Sequence, residues 1–287
     1  MFESKQELKI ILKIKTRNSV PTPDEIESPQ KPSKSITKWV AILLVLISVI
    51  IVLLWYFVFR DTSPADVNSQ AAKEAREEAL SEAEVNEVQN LDGVWIIDRE
   101  IGVFDDSCLT EVCGSSFVGF RIDEELVGIG GKTVVGRTPD ISAQFTITGS
   151  EIISTLGGDR PTVTVDMTTL VTDDASRNNA IKRQAIETSQ FPEASLVITQ
   201  PIDFSSATDL EAGFTTEIVG DLTIHGVTQE ELIKVTASFD GSRILVYGNL
   251  GPILLSDYEI EKPRSAVVLS VEDNALMEFQ LFFKKLD

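Results

Sequence analysis

The chain has 287 residues, of which 43% are hydrophobic, and its formal net charge at pH 7 is −20. This apolar content suffices for a packed core and argues against wholesale disorder. The negative charge argues against nucleic acid as a partner, because phosphates bind basic surfaces. Residues 1–38 carry eight Lys/Arg against five Asp/Glu, whereas residues 39–287 hold the other 17 basic and 40 acidic residues. This uneven distribution predicts that the two parts lie in different compartments.

Residues 1–38 are polar and contain three prolines, which predicts a disordered tail. Residues 39–59 then carry no charge and a single serine, Ser48. A helix of this length rises about 30 Å, which matches the hydrocarbon core of a bilayer. Trp39 at one end, and Trp55 and Tyr56 near the other, fit the aromatic belts of a membrane-spanning helix.

Three lysines precede residues 39–59, and an acidic run follows them. The positive-inside rule therefore places the N-terminus in the cytoplasm and the chain after residue 60 outside. A cleaved signal peptide is the alternative, but its apolar region is only about 7–15 residues long. We predict an uncleaved anchor in the cell membrane, with an extracellular or periplasmic C-terminal domain.

Residues 60–90 form an acidic linker in which residues 70–89 are rich in Ala and Glu. Helix propensity is high there and an apolar stripe is nearly absent, which predicts a solvated spacer helix or stalk. A coiled-coil dimer is the alternative, although Ala75, Ala79, Val85 and Val88 form only a thin seam.

From residue 91 onward the apolar period changes to two, which indicates β-strands. Gly, Pro, Asp and Asn clusters separate the short strands, and this spacing favours an antiparallel barrel or sandwich. Residues 176–188 read instead as one short helix. The predicted strands are residues 94–97, 116–122, 143–147, 162–170, 195–199, 214–225, 231–239, 243–247, 266–271 and 275–284.

Alternation within these strands places large apolar side chains on one shared interior. In a barrel of about eight strands this interior is either packed solid or holds one ligand, and the pattern does not decide between the two. The predicted inward set, which would line a cavity, is Val118, Phe120, Ile122, Phe145, Ile147, Val163, Val165, Met167, Leu196, Ile198, Ile233, Val235, Phe239, Met277, Phe279 and Leu281.

Residues 220–229 run as an alternating strand into a turn at His225 and Gly226, and a second strand follows, as in a β-hairpin. This stretch resembles the central hairpin of the YceI family. Three more stretches are similar to that family in the same order: residues 93–98 to its opening G-x-W-x-I-D strand, residues 173–196 to its arginine-bearing helix and aromatic-Pro step, and residues 271–281 to its closing strand. The resemblance covers about residues 91–287. It implies a lipocalin-like barrel that binds a polyisoprenoid or similar lipid.

The chain departs from the family pattern at three points. Arg177 is followed by Asn178 where the family usually has Arg-Asp, so any salt bridge of that Asp is in doubt. Residues 102–114 insert Cys108 and Cys113. Most members of the family are soluble and exported behind a cleavable signal, whereas this chain is predicted to be tethered.

Catalytic chemistry is sparse in the sequence. His225 is the single histidine, which argues against a Ser-His-Asp triad or a zinc centre built on several histidines. We expect His225 to serve the hairpin structurally, and we expect no enzyme activity, cofactor or metal. Outside the cytoplasm Cys108 and Cys113 readily form a disulfide, with two free thiols as the alternative because the loop is short.

Together these observations predict an all-β, lipocalin-like antiparallel β-barrel with one short helix, preceded by a single transmembrane helix and a helical stalk. The predicted regions are a cytoplasmic disordered tail at 1–38, the membrane helix at 39–59, the stalk at 60–90 and the barrel at 91–287. The predicted function is to hold or carry an isoprenoid or other long-chain lipid. A filled structural or protein-interaction barrel, and an enzyme acting on a lipid-like substrate, are the alternatives.

Overall fold

The computed structural model describes residues 34–59, 63–82, 90–128, 130–154, 158–264 and 268–286. The chain forms two compact units, Met1–Arg60 and Asp61–Asp287. Most of the predicted disordered tail, residues 1–33, lies outside the described residues.

The first unit contains one helix, α1 (Lys34–Phe59). Residues Lys38–Tyr56 of this helix are the one stretch of the described chain long and apolar enough to cross a membrane, by length and composition. None of this stretch is buried within the protein. A helix with apolar side chains on every face is typical of a segment that needs an apolar surrounding.

The second unit is dominated by one sheet whose strands pair antiparallel. Its strands within the described residues are β1 Gly93–Ile97, β2 Phe117–Leu126, β3 Gly130–Thr138, β4 Ile141–Thr148, β5 Glu151–Ser154, β6 Thr162–Asp166, β7 Val171–Thr172, β8 Glu193–Ile198, β9 Ile202–Asp203, β10 Phe214–Ile224, β11 Val227–Phe239, β12 Arg243–Leu254 and β13 Val268–Lys285.

Eight of these strands close into a barrel in the order β13-β12-β11-β10-β8-β6-β4-β1, with β1 returning to β13. Strand β13 is 18 residues long, so one of its edges can pair with two different strands. Its last residues pair with β1, as Lys285 does with Trp95, and its earlier part pairs with β2, as Phe279 does with Val118. Strand β2 continues outward to β3 and β7. The predicted all-β antiparallel barrel is confirmed.

One end of the barrel, the His225 end, carries the turn between β10 and β11. His225 and Gly226 both have positive φ, at 53° and 77°, as a two-residue type I′ hairpin requires. Helix α3 (Ala175–Ala180) and a π-helical turn, Ile181–Ala185, lie in the predicted helical segment. Asp174 caps α3 by accepting the backbone N–H of Arg177 at 2.7 Å. A 3-10 turn at Leu255–Tyr258 follows β12.

The opposite end, the Trp95 end, is built around a fully buried indole. Trp95 donates its ring N–H to the carbonyl of Leu91 at 2.8 Å and meets Phe239 edge to face. This arrangement satisfies the one polar group of the ring, as a buried tryptophan requires. The buried side chains packed with Trp95 are Ile97, Ile141, Ala143, Phe145, Ile147, Ile244, Leu281 and Phe283.

Helix α2 (Ser69–Glu82) has one buried face, whereas the sequence predicted a solvated stalk here. Ala72, Ala75 and Ala79 lie one helical turn apart and are buried at 0–1% exposure. Ala72 and Ala79 belong to a cluster with Ile101, Leu245 and Phe282, on the outer wall of the barrel. The prediction is wrong for this helix because alanine offers so little surface that a narrow apolar stripe is easily overlooked. Val85 and Val88 of the alternative coiled-coil seam lie outside the described residues.

Some strand predictions also need correction. The strand predicted at 162–170 ends at Asp166, since a 3-10 turn, Met167–Thr169, follows. The two strands predicted at 266–271 and 275–284 are one strand, β13, whose pairing with β2 shifts between Val271 and Ala275. Strands β3, β5, β7 and β9 were not predicted. Strand β3 begins with Gly130, Gly131 and Lys132, which hides its period of two.

The inserted segment after β1 folds over the outer wall rather than into the barrel. It contains a 3-10 turn, Asp106–Leu109, and a disulfide joins Cys108 to Cys113. The carbonyl of Cys108 accepts a hydrogen bond from Arg137, and that of Cys113 accepts one from Gln280 at 2.6 Å. The insertion therefore covers polar side chains on the outer faces of β3 and β13.

Candidate ligand-binding cavity

The barrel contains a cavity of about 350 Å³. Its wall is almost entirely apolar, because alternate residues of the barrel strands point inward and these positions are apolar. Apolar ligand pockets commonly have volumes of about 300–1,000 Å³, so this interior is large enough for one ligand. The sequence did not decide whether the interior is solid or hollow. The volume of this cavity favours a hollow interior.

Every side chain of the predicted inward set borders this cavity. They come from β2, β4, β6, β8, β11 and β13 and from Met167 just after β6. The predicted residues, some of them more than 100 positions apart in the chain, thus lie around one cavity. Contact with a ligand stays a prediction for each of them.

Sequence analysis missed the inward residues of β10 and β12, for example Ile218 and Val246, and the part of the wall that does not come from the barrel strands. At the His225 end, Ile181 and Ala185 of the π-helical turn and Ile260 face the cavity. Near the other end, Ile202 and Phe204 follow β8 and also border it. The spacing of Ile181 and Ala185 is the apolar signal that could have shown which face of the short helix points inward.

Two ionised side chains stand in this otherwise apolar wall, and they pair with each other. Arg177 Nη2 donates to Glu124 Oε1 at 2.6 Å, with side-chain exposures of 16% and 5%. Arg177 Nη1 also donates to Asp173 Oδ1 at 2.6 Å. Burial lowers the pKa of Arg177, but Glu124 and the neighbouring aspartates outweigh burial and hold that pKa above its usual value. The arginine thus finds its partners on β2 and at Asp173 rather than in the residue after it.

Asn178 stands where the resemblance implies an Asp, and its side chain hydrogen-bonds to Thr172. Its side-chain oxygen accepts the backbone N–H of Thr172 at 2.7 Å and the Thr172 hydroxyl at 2.8 Å. These bonds attach α3 to β7. The amide oxygen of Asn178 therefore anchors α3 to β7 without adding a charge beside Arg177.

His225 does not border the cavity. Its Nδ1 lies 3.2 Å from the carbonyl of Tyr258, and its Nε2 lies 3.0 Å from Glu187 Oε2. The ring therefore joins the hairpin to the end of the helical segment and to the 3-10 turn after β12. Tyr258 itself is buried and donates its hydroxyl to Glu231 at 2.8 Å, and burial together with Glu231 raises its pKa. These contacts fit the predicted structural role of His225.

No group of three or more His, Cys, Asp or Glu in the described residues could hold a metal ion. The two cysteines are bonded to each other on the outer wall. A closed antiparallel barrel with one apolar cavity is the class of protein that this geometry defines.

The sequence of this barrel matches a known family. Residues 113–283, more than half of the chain, match the family model of the YceI-like domain. The chain belongs to the YceI-like family. No curated protein matches the chain significantly.

Several solved structures are similar to this chain. A polyisoprenoid binding domain from Saccharophagus degradans, implicated in plant cell wall breakdown, is 15% identical, with 67% of this chain and 98% of that one covered and a TM-score of 0.47. BcnA of Burkholderia cenocepacia is 19% identical, with 58% and 95% covered and a TM-score of 0.43. The YCEI protein of Campylobacter jejuni is 18% identical, with 53% and 85% covered and a TM-score of 0.41.

Proposed function

We propose that this protein binds a long apolar lipid, such as a polyisoprenoid, inside its barrel and acts as a carrier rather than an enzyme. The observation that carries this proposal is the cavity of about 350 Å³ inside the barrel, with its apolar wall. Each methylene of a lipid that leaves water for such a wall contributes about 0.8 kcal/mol, so a chain of modest length binds firmly.

We further propose that α1 anchors the protein in the cell membrane, with the barrel on the outer side. The length and composition of residues 38–56 support a membrane span. The lysines before the span and the acidic residues after it support the orientation. Such an anchor keeps the barrel close to a membrane from which it can take its lipid.

The two alternative functions have less support. A filled structural barrel conflicts with the volume of the interior. An enzyme needs a nucleophile or base directed at a substrate, and the ionised groups that border the cavity in the described residues are Glu124 and Arg177, already paired. Turnover of a labelled prenyl lipid by the purified protein would restore the enzymatic alternative.

The test replaces cavity residues with a charge in the full chain and measures co-purified lipid and thermal unfolding. Val165→Asp and Val235→Asp place a carboxylate on the wall, whereas Lys234→Asp places one on the exposed outer face beside Val235. We expect the two valine variants to lose lipid and yet to fold, because water can enter the cavity once no lipid fills it and can hydrate the new carboxylate. Lys234→Asp should retain lipid as the unmodified protein does.

Unfolding of both valine variants would indicate a solid core. A buried unpaired charge in a solid core costs several kcal/mol, which is comparable to the stability of a whole domain. If both valine variants unfold and the unmodified protein carries no lipid, the barrel is a filled scaffold and the proposal fails.

A further inference from the structure

The charge on the cavity wall restricts which lipid fits. Glu124 and Arg177 are the only ionisable side chains of the described residues that border the cavity. The other polar groups on the wall are hydroxyls and one amide, for example those of Thr162, Ser195 and Gln144. Any charged group of a bound lipid would therefore have to find its counter-ion in this one pair.

The Glu124–Arg177 pair has no net charge that could balance an ionic headgroup. Glu124 Oε1 and Arg177 Nη2 are 2.6 Å apart, and the second arm of the guanidinium binds Asp173. Asp173 in turn accepts from Lys132 Nζ at 2.7 Å. The result is a row of two cations and two carboxylates in alternation, with Glu124 and Arg177 at the end that meets the cavity and Asp173 and Lys132 behind them.

The consequences differ between headgroups. An anionic headgroup would have to displace Glu124 from Arg177, which leaves a buried carboxylate without a partner. A cationic headgroup would have to displace Arg177 from Glu124, and the partly buried guanidinium would keep only Asp173 as a partner. An uncharged oxygen requires no displacement, because a guanidinium has five N–H groups and the two ion pairs use only part of them.

We propose that the cavity selects lipids whose enclosed headgroup is uncharged, such as an alcohol, a ketone or an amide, and that the Glu124–Arg177 pair is the element that determines this specificity. The inference rests on the proposed lipid-binding function and narrows it. The pair acts both by rejecting ions and by donating a hydrogen bond to a neutral oxygen.

The experiment compares two probes with the same chain, geranylgeraniol and geranylgeranyl diphosphate. Each is offered in turn, at equal concentration, to the full chain in detergent, and native mass spectrometry measures the fraction of protein that carries it. We expect geranylgeraniol to be preferred by about tenfold or more, because ion burial without a partner is strongly unfavourable.

Two substitutions test whether the pair is the cause. Glu124→Gln releases the charge of Arg177 toward the cavity, and we expect it to raise binding of the diphosphate and reduce the preference. Asp173→Asn is the matched control, since Asp173 is the other carboxylate partner of Arg177 but does not border the cavity. It should keep the preference of the unmodified protein.

The outcomes separate this inference from the function on which it rests. If the unmodified protein binds the alcohol and the diphosphate equally, or prefers the diphosphate, the inference is overturned while lipid binding stands. If it binds neither probe and carries no lipid on purification, the proposed function itself fails. Should Glu124→Gln not fold, the preference of the unmodified protein still decides the matter, and a loss of preference in Asp173→Asn would contradict the assigned role of Glu124.

Discussion

Glu278 on β13 shows how a single carboxylate holds the outer wall of the barrel together. Its side chain is 1% exposed, and each of its oxygens binds an arginine. Arg121 Nε donates to Oε2 at 2.8 Å, and Arg137 Nη2 donates to Oε1 at 2.6 Å. Arg137 also stands over the ring of Phe117, 4.1 Å from its centre. Burial lowers the pKa of Arg137 although Glu278 opposes the shift, which indicates how much the arginine depends on this partner.

Replacement of this carboxylate should therefore be severe. Glu278→Gln leaves the buried guanidinium of Arg137 without its counter-ion, while Arg121 keeps only Asp66, at 3.1 Å. We expect a loss of about 3–5 kcal/mol in the free energy of unfolding. Glu272→Gln, on the same strand but exposed, is the control and should change stability by less than about 0.5 kcal/mol. Denaturant unfolding of both variants in detergent gives the comparison. Equal stability of the two variants would show that the arginines find other partners.

At the scale of elements, the accuracy of sequence reasoning depended on which signal each element carries. Strands β10 and β11 alternate cleanly and share a His-Gly turn, so both could be predicted from the chain. Strand β3 could not, because its first residues are glycines and Arg137 stands among its last ones. Arg137 can be buried because it pairs with Glu278 of a distant strand. A local sequence pattern does not predict such a long-range partner.

Helix α2 demonstrates the same limit for helices. Its burial depends on three alanines whose small side chains let the helix backbone approach the outer wall of the barrel. The side chain of Asn68 caps the helix by accepting the backbone N–H groups of Gln70 and Ala71 at 2.9 and 3.1 Å. The surface that receives α2 comes from β12, β13 and the insertion after β1. Only the folded barrel brings these three segments together.

This packing predicts the effect of one bulky charge in α2. Ala75→Glu introduces a carboxylate at a fully buried position, and we expect α2 to detach from the wall. Hydrogen exchange of the backbone amides of residues 69–82 should then rise at least about tenfold, since their protection would no longer depend on the barrel. Lys73→Glu, at an exposed position of the same helix, is the control. Unchanged protection in Ala75→Glu would show that α2 is stable without the contact.

For the whole molecule, part of the cavity wall could be predicted, but the cavity itself and the wall residues of β10 and β12 were not. Alternation identifies which side chains point inward, whereas the volume left between them depends on the separation of strands around the barrel. Residues of the helical segment and of the chain after β12 also border the cavity. No strand pattern contains them.

The whole molecule also allows a test of orientation. Protease added to intact cells, or to spheroplasts where an outer membrane is present, should remove residues 91–287 and spare the N-terminal tail. The expectation follows from the excess of basic residues before the apolar helix. Epitope tags at the two ends report each fragment. A barrel that resists protease until the membrane is opened would refute the proposed orientation.

The long strand β13 has a consequence for the order in which the protein can fold. It pairs with β1, β2 and β12, and its outer face receives α2 and the insertion, yet it is the last of these strands in the chain. During synthesis β1 and β2 cannot pair with β13, and the barrel cannot close, until β13 has emerged. Contacts between such distant segments form slowly because the loop they close is long. The nascent barrel therefore exposes its apolar inner faces until β13 emerges. The incomplete barrel that exists before β13 is synthesised is therefore the form most prone to aggregation and most dependent on a chaperone.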